Sequence, residues 1–163
     1  MNDAYKPPQD TVIARVRTSA GEIRATFHIP TRHSFADHLA RYAFWNLTNV
    51  TLPGTKEPAP FFSLRMASAL VVVPEAEEGA LHLAPLHGPA EKHRIACLLQ
   101  RFGTVTGVIE LLPATRVSDY LTHHTGFFCL RDAQIGSEER VPVALVNAGA
   151  LVGVSELPPQ AGG

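Results

Sequence analysis

The chain has 163 residues, 45% hydrophobic and 18% charged, with eight histidines and a formal net charge of −1. This is enough apolar material for a core and too little charge for general disorder. The near-equal count of 14 basic and 15 acidic residues excludes the clustered positive charge that generic nucleic-acid binding or adhesion to anionic lipid requires.

No apolar run approaches the ~20 residues needed to cross a bilayer. The opening Met1-Asn2-Asp3-Ala4-Tyr5-Lys6-Pro7-Pro8 lacks a charged-then-apolar signal pattern. The expectation is a cytoplasmic protein without a membrane role. Cys97 and Cys129 sit in apolar runs with no CxxC spacing, which suits buried thiols rather than a disulfide or metal framework.

Residues 1–9 read as a loose end. Val12, Ala14 and Val16 then alternate with Arg15 and Arg17, a first strand with one wet face. Gly21 falls where the chain must reverse. In "GEIRATFHIP", Ile23, Ala25, Phe27 and Ile29 oppose Glu22, Arg24, Thr26 and His28. This second strand ends at Pro30, which cannot donate to a ladder. "SFADHLARY" (34–42) has helical character, with Ser34 as cap and Asp37 in the first turn. Three more strand-like runs follow, the last being "ASALVVVPE" (67–75). Residues 77–92, rich in Glu, Gly and Pro, suit an exposed connection.

The same order then recurs. "HRIACLLQRF" is apolar on both faces and is expected to be deeply covered. Gly103 opens "GTVTGVIELLP", in which Val105, Gly107, Ile109 and Leu111 oppose Thr104, Thr106 and Glu110, with Pro113 beyond them. "RVSDYLTHH" (116–124) matches the earlier helical turn through Asp37-His38-Leu39 and Asp119-Tyr120-Leu121. "FWNLTNVTL" (44–52) aligns with "FFCLRDAQI" (127–135). "AGALVGVSE" (148–156) matches "ASALVVVPE" at six of nine positions. Landmarks in one order at spacings of 81 to 83 argue for an internal duplication. The repeats are 11–76 and 93–158, with a linker at 77–92 and a loose end at 158–163. Each repeat has five strands and a short helix between strands two and three. Rolling into a small barrel would cover one face of so short a sheet and reduce its open edges.

Gly103-Thr104-Val105-Thr106-Gly107, Leu130-Arg131-Asp132-Ala133 and Val146-Asn147-Ala148-Gly149-Ala150-Leu151-Val152 occur in this order. So do Gly21-Glu22-Ile23, Leu47-Thr48-Asn49-Val50 and Met66-Ala67-Ser68-Ala69-Leu70-Val71. The pattern resembles the Sm-like small β-barrel superfamily, in an uncharacterised bacterial branch. The resemblance implies an all-β fold of two tandem five-stranded Sm-like barrels, strand-edge pairing between barrels, and a homo-oligomer. It also implies an alternative role in binding single-stranded RNA. The Asp-x-x-Met-Asn turn and Arg/Lys-Gly pair of the RNA-binding members are absent. On this resemblance the RNA- or partner-binding residues are Asn49, Arg65, Asp132 and Asn147. No catalytic residue, metal or cofactor is expected, and a different protein partner is left open beside the homo-oligomer.

The other chemistry-bearing residues have structural readings. His28, His33 and His38 recur every five residues, which fits one face of neither a helix nor a strand. No paired zinc-ligand spacing is present. Ser118, Asp119 and His123, or Ser34, His33 and Asp37, contain acid–base residue types. Their recurrence in both repeats points instead to a shared turn, with the carboxylate bonding backbone N–H groups and Leu39 or Leu121 closing the barrel end. No phosphate-cradling glycine motif occurs. The doublets Phe44-Trp45, Phe61-Phe62 and Phe127-Phe128 each send one aromatic outward by alternation.

Overall fold

The computed structural model describes residues 8–83, 88–137 and 139–159. The predicted loose ends therefore fall largely outside the described residues. The fold is all-β. The first half contains β1 (Gln9–Thr18), β2 (Gly21–Pro30), α1 (Phe35–Arg41), β3 (Phe44–Thr51), β4 (Ala59–Arg65) and β5 (Ala69–Pro74). The second contains β6 (Glu91–Leu99), β7 (Gly103–Leu111), α2 (Val117–His123), β8 (Phe127–Ile135), β9 (Glu139–Asn147) and β10 (Leu151–Glu156). A single 3-10 turn, 66–68 or 148–150, precedes the last strand of each half.

All pairings are antiparallel, in one sheet ordered β10-β6-β7-β8-β9-β5-β1-β2-β3-β4. The expectation of two closed barrels is corrected here: the sheet is open. The reason is visible in the order. The fourth strand of each half does not pair with that half's own fifth strand. Instead β9, fourth in its half, bonds to β5, fifth in the other, through Val71↔Val146 and Val72↔Leu145.

Each half has its own core. Val12, Ala14, Val16, Phe27, Phe35, Leu39, Trp45 and Leu47 anchor the first cluster. Ile95, Cys97, Val105, Ile109, Leu130 and Ala133 anchor the second. The inward residues of β1, β2 and β7 are those the alternation selects. Phe27 meets Phe35 edge-on at 5.3 Å and Trp45 at 5.4 Å. The Trp45 Nε1–H donates to the Leu39 carbonyl at 2.9 Å, fixing α1 over β3.

Gly21 and Gly103 take φ of 121° and 126° at the hairpins, a region open chiefly to glycine. The second hairpin is one residue longer, since Thr18 pairs with Gly21 but Leu99 with Gly103. Ser34 caps α1, its Oγ accepting from the Asp37 amide at 3.4 Å. Arg116 stands at the same place on α2 and makes no side-chain cap bond. The carboxylate bonds expected at Asp37 are replaced by this hydroxyl cap.

Two further expectations change. β6 is not covered on both faces: Leu98 is 47% exposed, because its neighbour β10 is the sheet edge. Residues 77–83 are mostly exposed, as expected of a linker, but Leu81 is fully buried in the first core. No helix among the described residues is long and apolar enough to cross a membrane.

Candidate interaction surface

Asn49 and Asp132 occupy matching positions in β3 and β8. Both are exposed and left-handed, with φ of 52° and 47°. Asn and Asp tolerate this region better than other side-chain-bearing residues. The ladders β2–β3 and β7–β8 shift register beside them, so these two residues bend the strands around their cores. Arg65 ends β4, with its guanidinium 5.5 Å from the centre of the Phe44 ring. Asn147 ends β9, is 5% exposed, and uses both ends of its amide. Its Nδ2 donates to the Ala69 carbonyl at 2.8 Å, and its Oδ1 accepts from the Gly149 amide at 2.9 Å. The structure therefore does not gather the four predicted residues into one site.

Asn147 lies in the joint between the halves. Phe127 of β8, with Val143 and Leu145 of β9, joins the first half's core. Its ring lies 5.7 Å from that of Trp45. In return Leu70, Val71 and Val73 of β5 join the second half's core, while Ala69 and Val72 face their own. Strand β5 is thus buried on both faces. Arg15 and Arg17 clamp the joint from β1. Arg17 Nη2 lies 2.8 Å from Glu139 Oε2, and Arg15 bonds the same carboxylate. Both arginines hold the Glu139 carboxyl below its ordinary range, the Arg15 hydrogen bond contributing most.

The joint uses one fourth and one fifth strand. The other fourth strand, β4, and the other fifth strand, β10, are the two edges of the sheet. Seven large apolar or aromatic side chains are exposed among the described residues, and five of them flank these edges. Tyr42, Phe44 and Phe61 border β4; Leu98 and Val152 border β10. Phe61 and Val152 are 59% and 61% exposed. An unpaired edge with apolar flanks is a template for another strand.

The catalytic candidates disperse. The Ser34 hydroxyl is the α1 cap. Ser118 accepts the Thr122 hydroxyl through its backbone carbonyl at 2.7 Å. His124 Nε2 lies 3.0 Å from the Phe127 carbonyl, and His28 Nε2 lies 2.7 Å from Thr48 Oγ1. Among the described residues no group of three or more His, Cys, Asp or Glu is placed to hold a metal ion. Burial pushes the Cys97 thiol up to about 12 and the Cys129 thiol up to about 11, so neither is a thiolate near neutrality. Cys129, Tyr120 and Arg131 line a cavity of about 580 Å³ beside the linker, where Arg131 is ion-paired with Glu78 and Glu110.

The fourth-with-fifth pairing at the joint is the strand-edge pairing between units expected from the sequence; Phe127, Val143, Leu145 and Glu139, which pack or pair across it, were not singled out as a site. Phe44-Trp45 and Phe61-Phe62 each expose one ring as expected, but Phe127-Phe128 exposes neither, because β3 and β4 lie at an edge of the sheet and β8 in its interior. Family models, curated proteins and solved structures contain no match to this chain.

Proposed function

We propose that the protein is a non-enzymatic interaction module of two tandem Sm-like units, residues 11–76 and 93–158, each a small barrel-like sheet bent around its own core. It self-associates head to tail through strand edges, β4 of one copy adding to β10 of the next. One observation carries this reading. Inside the chain, a fourth strand already pairs with a fifth strand of the other half, and the same two strand types are left over at the ends. Different surfaces meet in such a contact, so it propagates into a closed ring or an open array. Residues 77–92 link the two units within each copy.

Sedimentation velocity over about a hundredfold range of protein concentration tests the proposal. Growth beyond the single chain supports it, and one monomeric species throughout overturns it. A labelled single-stranded oligoribonucleotide forms the competing arm. Tight, salt-sensitive binding by a monomeric chain would favour the RNA-binding alternative assigned to Asn49, Arg65, Asp132 and Asn147.

A further inference from the structure

We infer, resting on the edge-pairing reading above, that the contact between copies is a plug and socket: Phe61 of one copy enters the cavity between α2 and β10 of the next. The cavity measures about 570 Å³ and is lined by His93, Val117, Leu121 and Val154, among others.

The argument comes from the half of the molecule where this socket is already filled. The two halves correspond element by element. The 3-10 turns 66–68 and 148–150, and the helices 35–41 and 117–123, both differ by 82. The first strands differ by 81, as shown by matching bonds from the Glu75 amide to Ile13 and from the Leu157 amide to Arg94. On this correspondence His93, Val117, Leu121 and Val154 answer to Val12, Phe35, Leu39 and Val72. All four of the latter are buried in the first core, with Val143 and Leu145 supplied from β9. In the second half none of the described residues plays the part of β9, and the matching space is the cavity. Leu39 is fully buried and Leu121 only partly so.

The residue answering to Val143 is Phe61 of β4, which is exposed. The sizes are complementary. Within the chain the first core combines a large socket residue, Phe35, with a small plug, Val143. Between chains a small socket residue, Val117, would face a large plug, Phe61. Exchanging large for small across a contact conserves the packed volume. A second copy of the chain is thus the occupant that the residues specify. The cavity also contains His93, whose Nε2 is buried with no hydrogen-bond partner among the described residues. The same correspondence sets the strand register, with Gly153 opposite Leu64 and Val154 opposite Ser63.

Two variants separate plug from socket. F61A removes an exposed side chain and leaves the fold intact, while V117F fills the cavity. Each alone is expected to weaken self-association about tenfold or more, as loss of a buried aromatic anchor does. Mixed in equal amounts, they have one sound plug and one sound socket between them and should form a 1:1 dimer that grows no further. The double variant F61V/V117F recreates the internal pair and should recover most of the association. Should V117F misfold by circular dichroism, F61A with F61L, both at an exposed position outside the cavity wall, carries the test: F61A loses the association and F61L keeps most of it. Association of the wild-type chain that F61A leaves unchanged overturns the plug and keeps edge pairing. A wild-type chain that never associates overturns edge pairing itself.

Discussion

Gly126 stands against Ala40 across the joint between the halves: a Cβ on the glycine would lie 2.6 Å from the alanine Cβ. Its φ is +89° as well. Gly126→Ala therefore meets both a backbone penalty and a collision between α1 and the start of β8. It should cost about 2 kcal/mol or more in denaturant unfolding. The answering position on the open edge is Ala43, opposite Thr122, so the contact between copies must sit slightly wider there. Ala43→Gly should tighten self-association, as read by sedimentation.

Asn147 bridges β9 to the Ala69 carbonyl while also satisfying the Gly149 amide. Asn147→Ala leaves a buried carbonyl and a half-buried amide without partners, a cost of about 1–3 kcal/mol each at most. Urea unfolding should show a lower midpoint. Amide hydrogen exchange should rise first at Val71, Val72, Leu145 and Val146, the residues paired across the joint.

Glu139 is held below its ordinary carboxyl range chiefly by its hydrogen bond to Arg15. Because the folded value lies below the unfolded one, this stabilisation is full above the unfolded value of about 4.3. It is lost as pH falls through the depressed folded value. Glu139→Gln should flatten that acid limb in a thermal-melting series across pH. Ala96 and Leu98 answer to Arg15 and Arg17 on the open edge, so contacts between copies lack the clamp. The substitution should leave their acid response unchanged.

Asn49 and Asp132 are left-handed residues inside strands. Asn49→Ala and Asp132→Ala should each cost about 1 kcal/mol, and the glycine substitutions less. Were these side chains to hold RNA or a partner, glycine would abolish binding while sparing stability. Measuring the melting temperature and the association of the same variants separates the two roles.

The strands were legible wherever one face is wet. Ile23, Ala25, Phe27 and Ile29 alternate with polar neighbours and are all buried. So was the repetition, but its spacing was legible only approximately. "ASALVVVPE" and "AGALVGVSE" agree best at a spacing of 81, which matches Leu70 to Leu151. The structure matches Ala69 to Leu151 and Val72 to Val154, each facing its own core. Strand β5 is buried on both faces, so it lacks the polar alternation that would fix its register. Pairing of strand edges between the units was expected, but the residues of the joint were hidden, because Phe127, Val143 and Leu145 pack across distant strands rather than within a local motif. The Asn49 and Asp132 motif was visible in sequence; its backbone conformation was not.

The β5–β9 ladder has one more consequence. Its two strands belong to a single polypeptide, so they meet at an effective concentration that dilution does not alter. In any larger array, every second seam would be tethered in this way and the seams between them would obey mass action. Lowering the protein concentration would therefore release repeats two at a time, and an assembly with an odd number of repeats could never form.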